Sequence, residues 1–126
     1  MSTGTNISES EWEVMNVLWS ESPLTSSQIA ERLEQPTGWK PATVKTLLGR
    51  LVKKGQLTYE ADGNRYLYRP RVSRTAAVQA ESHSFLARVF RGDAASMLLH
   101  FARNAELSDT EAEELRQLLD AGEGHG

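Results

Sequence analysis

Seven side chains have the types and spacing to grip a polyanion: Lys40, Thr43, Lys45, Thr46, Arg50 and Lys53 within 14 residues, and Arg65 shortly after. If the stretch from Pro41 is helical, Val44, Leu47, Leu48 and Leu51 fall at i, i+3, i+4 and i+7 and form one apolar stripe. Ala42, Thr46, Gly49, Arg50 and Lys53 then lie opposite, with Thr43 and Lys45 on the flanks. Small residues let a helix sink into a groove, hydroxyls bond to bases or phosphates, and long cations reach the backbone on either side. That is the chemistry of reading a nucleic-acid duplex. A merely solvated helix also carries Lys, Arg and Thr opposite its apolar stripe, so for an isolated helix the plainer reading would prevail. Context reverses it. Residues 39–71 hold eight basic groups against two acids, Glu60 and Asp62, while residues 1–38 hold six Glu against Arg32 alone.

The elements that position these side chains are signalled locally. An apolar residue, then Ser or Thr, then Glu or Gln three positions on occurs at Ile7-Ser8 with Glu11, Leu24-Thr25 with Gln28 and Leu107-Ser108 with Glu111. Each is a capping box, in which hydroxyl and carboxylate or amide satisfy backbone N–H groups reciprocally. The first helix is expected over residues 9–19 and a short second over 26–34, broken by Gln35-Pro36-Thr37-Gly38. A third opens at Pro41, where a missing N–H costs nothing, and ends at Gly55. Residues 57–60 and 65–69 alternate like strands around Asp62-Gly63, a pair suited to a tight hairpin turn. Two short helices, a third basic one and a basic hairpin, in that order, make a winged helix-turn-helix.

Three positions keep two readings. Arg65, at the hairpin turn, either reaches a phosphate or the minor groove or is simply solvated. Trp39 packs the turn against the first helix or faces the DNA backbone. Tyr59, Tyr66 and Tyr68 serve hairpin pairing, with base stacking as the weaker reading.

From residue 73 onward the pattern is helical: 74–91, 94–103 and 109–120, with a frayed tail over 121–126. These helices cannot each bury their apolar residues alone, and about 50 residues make a poor independent core. Phe85, Leu86, Val89, Phe90, Leu98, Leu99, Phe101, Leu115, Leu118 and Leu119 are therefore expected to form a homodimer interface. The expected division is a DNA-binding domain over 1–71, a helical dimerisation domain over 72–120 and a flexible tail over 121–126.

Bulk properties narrow the class. The chain has 126 residues, 39% hydrophobic and 25% charged, with a net charge of −3, so indiscriminate nucleic-acid coating is not expected. There is no cysteine, which excludes disulfides, thiolate metal sites and thiol nucleophiles. The N-terminal residues lack a signal-peptide pattern and no apolar run approaches a membrane span, so the expected location is cytoplasmic. His83, His100 and His125 are far apart and lack metal-site spacing. Neither a metal nor another cofactor is expected. Nothing resembles a nucleophile elbow, a phosphate loop or a catalytic dyad, so an enzyme is not expected.

The residues also resemble a known family, the penicillinase and methicillin-resistance repressors with their copper-responsive relatives (BlaI/MecI/CopY). The resemblance lies in Ile7-Ser8 followed by Glu11-Trp12-Glu13-Val14-Met15-Asn16 and Trp19, and in Trp39, Pro41, Thr43, Thr46-Leu47, Arg50-Leu51 and Lys53-Lys54-Gly55. It continues through Leu67-Tyr68, Leu98-Leu99, Phe101, Leu107-Ser108 and Glu113-Glu114-Leu115, covering about residues 7–119. It implies a winged-helix domain joined to a helical dimerisation domain, and a homodimer that represses transcription from a palindromic operator. Lys40, Thr43, Lys45, Thr46 and Arg50 would face DNA, with Arg65 in the wing. Family members often carry a basic residue after the helix-opening proline, where this chain has Ala42.

In the penicillinase-repressor branch a signal-activated protease cuts between Asn and Phe. The matching bond here is His100-Phe101, so the Asn is replaced. The resemblance thus implies derepression by proteolysis in response to an antibiotic or stress signal. The copper-responsive branch switches through C-terminal cysteines, which this chain lacks. A ligand-sensing winged-helix regulator, a histidine metal sensor and a protein-docking winged helix stand as the alternatives.

Overall fold

Helix starts in this molecule are written in their first few residues. Ser8 Oγ accepts from the Glu11 N–H at 3.2 Å and Glu11 Oε1 from the Ser8 N–H at 2.9 Å, opening α1 (Glu9–Ser20). Thr25 and Gln28 do the same at 3.2 and 2.9 Å for α2 (Ser26–Thr37). Pro41 begins α3 (Pro41–Lys53) with no side-chain cap from Lys40. A hairpin of β1 (Leu57–Asp62) and β2 (Arg65–Pro70) follows. Three helices complete the chain: α4 (Arg74–Val89), α5 (Ala94–Asn104) and α6 (Asp109–Glu123). Ser108 and Glu111 close the third capping box at 3.1 and 3.0 Å. Two caps lack the box pattern, Ser73 for α4 and Asp93 for α5, each accepting from an N–H three residues on. The computed structural model describes residues 6–123.

Two local expectations shift. The second helix does not break at Gln35 but runs on to Thr37 with Pro36 inside its last turn. A proline there forfeits one ladder bond. The Thr37 hydroxyl donates to the Leu33 carbonyl at 2.6 Å, and Gly38, at φ 70°, donates its N–H to the Glu34 carbonyl at 2.8 Å, so the turn still closes. In the hairpin, Asp62 pairs with Arg65, which makes Gly63 and Asn64 the two loop residues rather than Asp62-Gly63. Gly63 takes φ 67° at the first loop position, where a two-residue hairpin turn favours glycine.

The core lies where α1, α2, α3 and the hairpin meet. Val14, Met15 and Leu18 of α1, Ile29, Ala30 and Leu33 of α2, and the α3 stripe Val44, Leu47, Leu48 and Leu51 are buried together with Ile7, Leu24 and Leu57. Leu24 extends the hairpin by an isolated antiparallel bridge to Tyr68, with N–H to carbonyl distances of 3.3 and 2.9 Å. Val72 packs against this core and accepts a 2.8 Å bond from Trp19 Nε1, and Ala77 of α4 is buried in it. Both follow residue 71, the expected end of the first domain.

Beyond Ala77 the packing changes. Among the described residues from 78 to 121 none is buried. Phe85 lies 5.8 Å from Phe90 and 6.0 Å from Phe101 between ring centroids, a small aromatic cluster open to solvent. Of the expected tail, residues 121–123 belong to α6 and 124–126 lie outside the described residues, as does His125. No helix among the described residues is long and apolar enough to cross a membrane.

Candidate nucleic-acid interface

Burial of the α3 stripe fixes which way the rest of that helix points. Val44, Leu48 and Leu51 are completely buried and Leu47 nearly so. Lys40, Ala42, Thr43, Lys45, Thr46, Gly49, Arg50 and Lys53 are all exposed. The structure thus collects the six candidates near α3 on the solvent side of one rigid element, with Arg65 exposed at the hairpin tip. The Thr46 hydroxyl donates to the Ala42 carbonyl at 3.1 Å, which uses its proton and leaves lone pairs to accept from a donor. Among the described residues Lys40, Lys45, Arg50 and Lys53 form no ion pair, so their charge is presented outward undiminished.

The remaining basic groups are not equivalent. Lys54, next to Lys53 in sequence, turns inward: its Nζ lies 2.7 Å from Glu11 Oε1 and 2.9 Å from the Asn6 carbonyl. The Glu11 side chain is only 1% exposed. Burial pushes that carboxyl up, but the Lys54 ammonium and the Ser8 N–H more than offset it and hold it below the ordinary carboxylate range. One carboxylate therefore caps α1 and anchors the end of α3. The 43-position separation of Glu11 and Lys54 explains why no local pattern announces the pair. In the wing, Arg69 meets Glu60 at 2.9 Å and Arg65 meets Asp62 at a looser 3.3 Å, all four exposed. The stretch with eight basic groups thus presents fewer uncompensated charges than its composition suggests.

Aromatic residues near the site divide as well. Trp39 is half-buried against the core, the first of its two expected placements. Tyr59 lies 4.8 Å from Tyr66 and 6.0 Å from Tyr68 by ring centroids, so the three pair with one another along the hairpin. The lower edge of the site is a cleft of about 550 Å³ bounded by Ser26 and Ser27 of α2, Lys45 of α3, and Asn64, Arg65 and Tyr66 of the wing. Ser26, Ser27 and Asn64 were not among the sequence candidates, and Tyr66 only as a weaker stacking reading, because only the third dimension brings the start of α2 beside the hairpin tip.

The C-terminal candidates sit apart from this face. Phe85, Leu86, Phe90 and Leu115 are half-buried, while Val89, Leu98, Leu99, Phe101, Leu118 and Leu119 are exposed. His100 and Phe101 lie within α5, both exposed, with His100 6.1 Å from Phe90. Among the described residues no group of three or more His, Asp or Glu side chains is placed to hold a metal ion.

Three core helices, a hairpin docked beside the third and a basic outward face define a winged helix-turn-helix. Within that class the chain belongs to the penicillinase repressor family, whose model matches residues 7–121. It is 38% identical over 114 residues to the penicillinase repressor of Bacillus licheniformis, covering 90% of this chain and 89% of that one. It is 34% identical over 113 residues to the methicillin resistance regulatory protein MecI of Staphylococcus aureus, covering 90% and 92%. Among solved structures, the DNA-binding domain of the repressor BlaI superposes with a TM-score of 0.53 at 33% identity, over 60% of this chain and 92% of that one. The monomeric form of Bacillus licheniformis BlaI in complex with the blaP half-operator gives 0.50 at 34% identity, over 56% and 85%.

Proposed function

We propose that this protein is a transcriptional repressor that binds a palindromic operator as a homodimer, each protomer laying α3 in the major groove of one half-site. The observation that carries this is the α3 face: Lys40, Thr43, Lys45, Thr46, Arg50 and Lys53 exposed on a helix whose opposite stripe is buried, with no acid from Lys40 to Lys54. The similarity to BlaI solved with a half-operator supports the same assignment. Thr43, Thr46 and Arg50 read base edges, while Lys40, Lys45, Lys53 and Arg65 neutralise phosphates. With Ala42 after Pro41, the helix start reads through shape and backbone approach rather than a long side chain.

Dimerisation uses the apolar residues that α4 to α6 leave uncovered: Leu98 is 47% exposed, Leu99 53%, Phe101 48% and Leu118 70%. Surfaces of this kind mark association sites, and two half-sites engaged by one dimer gain from effective concentration what a single domain cannot. Derepression follows from cutting the His100-Phe101 bond by a signal-activated protease, for which α5 must open locally because the bond lies inside a helix. Severing it separates Leu98 and Leu99 from Phe101 and α6.

The test is binding of the purified protein to fragments of its own upstream DNA at two salt concentrations, beside a Thr46→Ala, Arg50→Ala variant. Salt-sensitive protection of an inverted repeat, lost in the variant, is expected. Equal affinity for random duplex would overturn the reading. A chain truncated after His100 that still dimerises and binds operator as tightly as the full chain would overturn the derepression route.

A further inference from the structure

We propose that the cleft between the start of α2, Lys45 and the wing tip holds one backbone phosphate of the bound duplex, gripped jointly by Lys45 and Arg65, and thereby sets how the wing meets the DNA. This rests on the operator-binding reading and adds to it a shared subsite where two independent contacts would otherwise be assumed.

The lining carries the argument. Lys45 and Arg65 reach the cleft from different elements, the hydroxyls of Ser26, Ser27 and Tyr66 and the amide of Asn64 add neutral hydrogen-bonding groups, and no acid lines it. Lys45 has no ion-pair partner among the described residues. Arg65 is held only by Asp62 at 3.3 Å, with the two side chains 62% and 50% exposed, a contact weak enough to exchange for a phosphate oxygen. A guanidinium can meet two phosphate oxygens at once, whereas the lysine ammonium acts as a point charge beside it. A volume of about 550 Å³ admits a phosphate with its flanking sugars.

The walls are also fixed in advance. Leu24 is bonded to Tyr68 in both directions, so the segment entering α2 and the second wing strand are tied together. The Thr25–Gln28 box holds the next residues, and Lys45 follows the completely buried Val44. Ordering costs on binding fall on two long side chains rather than on the backbone, which is the condition for a preorganised anion site. The same chemistry would accept a free inorganic anion. The occupant argued here is the duplex phosphodiester, because the cleft continues the exposed cationic face of α3 into the wing.

The experiment uses the full chain and half-site-by-half-site operator duplexes, each with one phosphate replaced by an uncharged methylphosphonate. Binding is measured for the wild type, Lys45→Gln, Arg65→Gln and the double variant, with thermal melts verifying that each is folded. One linkage per half-site is expected whose neutralisation weakens wild-type binding by about tenfold yet changes binding of the double variant by less than about twofold. If no linkage shows this loss, if Lys45 and Arg65 lose sensitivity at different linkages, or if the double variant stays sensitive at the shared one, the subsite is overturned while operator binding stands. A wild type with no preference for operator overturns the repressor reading and the subsite together.

Discussion

The two halves of this chain use the same helix-start chemistry and reach opposite degrees of closure. Ser8, Thr25 and Ser108 all head capping boxes, yet α1 to α3 bury ten apolar side chains against one another and the hairpin, while α5 and α6 bury none among the described residues. Caps decide where a helix begins and contribute about 1 kcal/mol each. They do not decide whether it has anything to pack against. In the first half three amphipathic stripes converge on one centre. In the second, the stripes face outward, and the aromatic cluster of Phe85, Phe90 and Phe101 stays open to solvent, where the proposed dimer would cover it.

The contrast breaks most sharply at the centre of the first core. Leu51→Ala, at a site with no exposure, should lower unfolding free energy by about 3 kcal/mol, read from urea denaturation. An equal truncation at Leu118, 70% exposed, should leave monomer unfolding unchanged within about 0.5 kcal/mol. A Leu118→Ala loss matching that of Leu51→Ala would show that α6 belongs to a closed core after all.

Next in size is the ion pair that locks the first half. Lys54→Met leaves the Glu11 carboxylate buried without its cation and should cost about 2 kcal/mol near neutral pH, below the value for a fully buried pair because Lys54 is 27% exposed. The wild-type Glu11 carboxyl is held below its ordinary range. Its contribution is therefore present above the unfolded-state value and is lost as the pH falls from there through the lowered folded value. In Lys54→Met only the Ser8 hydrogen bonds still oppose burial, so the carboxyl rises above its wild-type value and the gap between variant and wild type should narrow as acid protonates it. Denaturation series across that acidic range check this, and a gap independent of pH would refute the assignment. Lys53→Met, by contrast, should leave stability unchanged and reduce the salt dependence of operator binding by about one unit of slope.

A smaller effect tests the second half. Leu99→Ser should weaken dimerisation by about tenfold, measured by sedimentation equilibrium, with the α1 to α3 core melting as before. The smallest contrast lies in the caps. Thr25→Ala should cost about 1 kcal/mol of global stability, and Ser108→Ala about 0.5 kcal/mol, seen mainly as faster amide exchange in the first turn of α6.

The parts of the site legible in sequence were those that local rules govern. The i, i+3, i+4, i+7 spacing of Val44, Leu47, Leu48 and Leu51 places Thr46 and Arg50 outward, and the structure leaves them exposed there. The register of the hairpin was legible only to within one residue, because Asp62-Gly63 and Gly63-Asn64 are both acceptable loops and cross-strand pairing selects between them. The end of α2 was misjudged at Pro36 because a proline signals lost ladder bonds but not the Thr37 hydroxyl that keeps the turn closed.

By itself the sequence determined where four helices start by capping box or proline, which α3 face turns inward, and the excess of positive charge after residue 39, since each depends on neighbours within one or two turns of chain. Tertiary structure alone decided the use of that charge. It turned Lys54 inward to Glu11, set Arg69 against Glu60, and brought Lys45 and Arg65 to one cleft beside Ser26 and Ser27. Coulombic and hydrogen-bonding partners are chosen by distance in space, and residues up to 53 positions apart become neighbours only after the apolar stripes have collapsed.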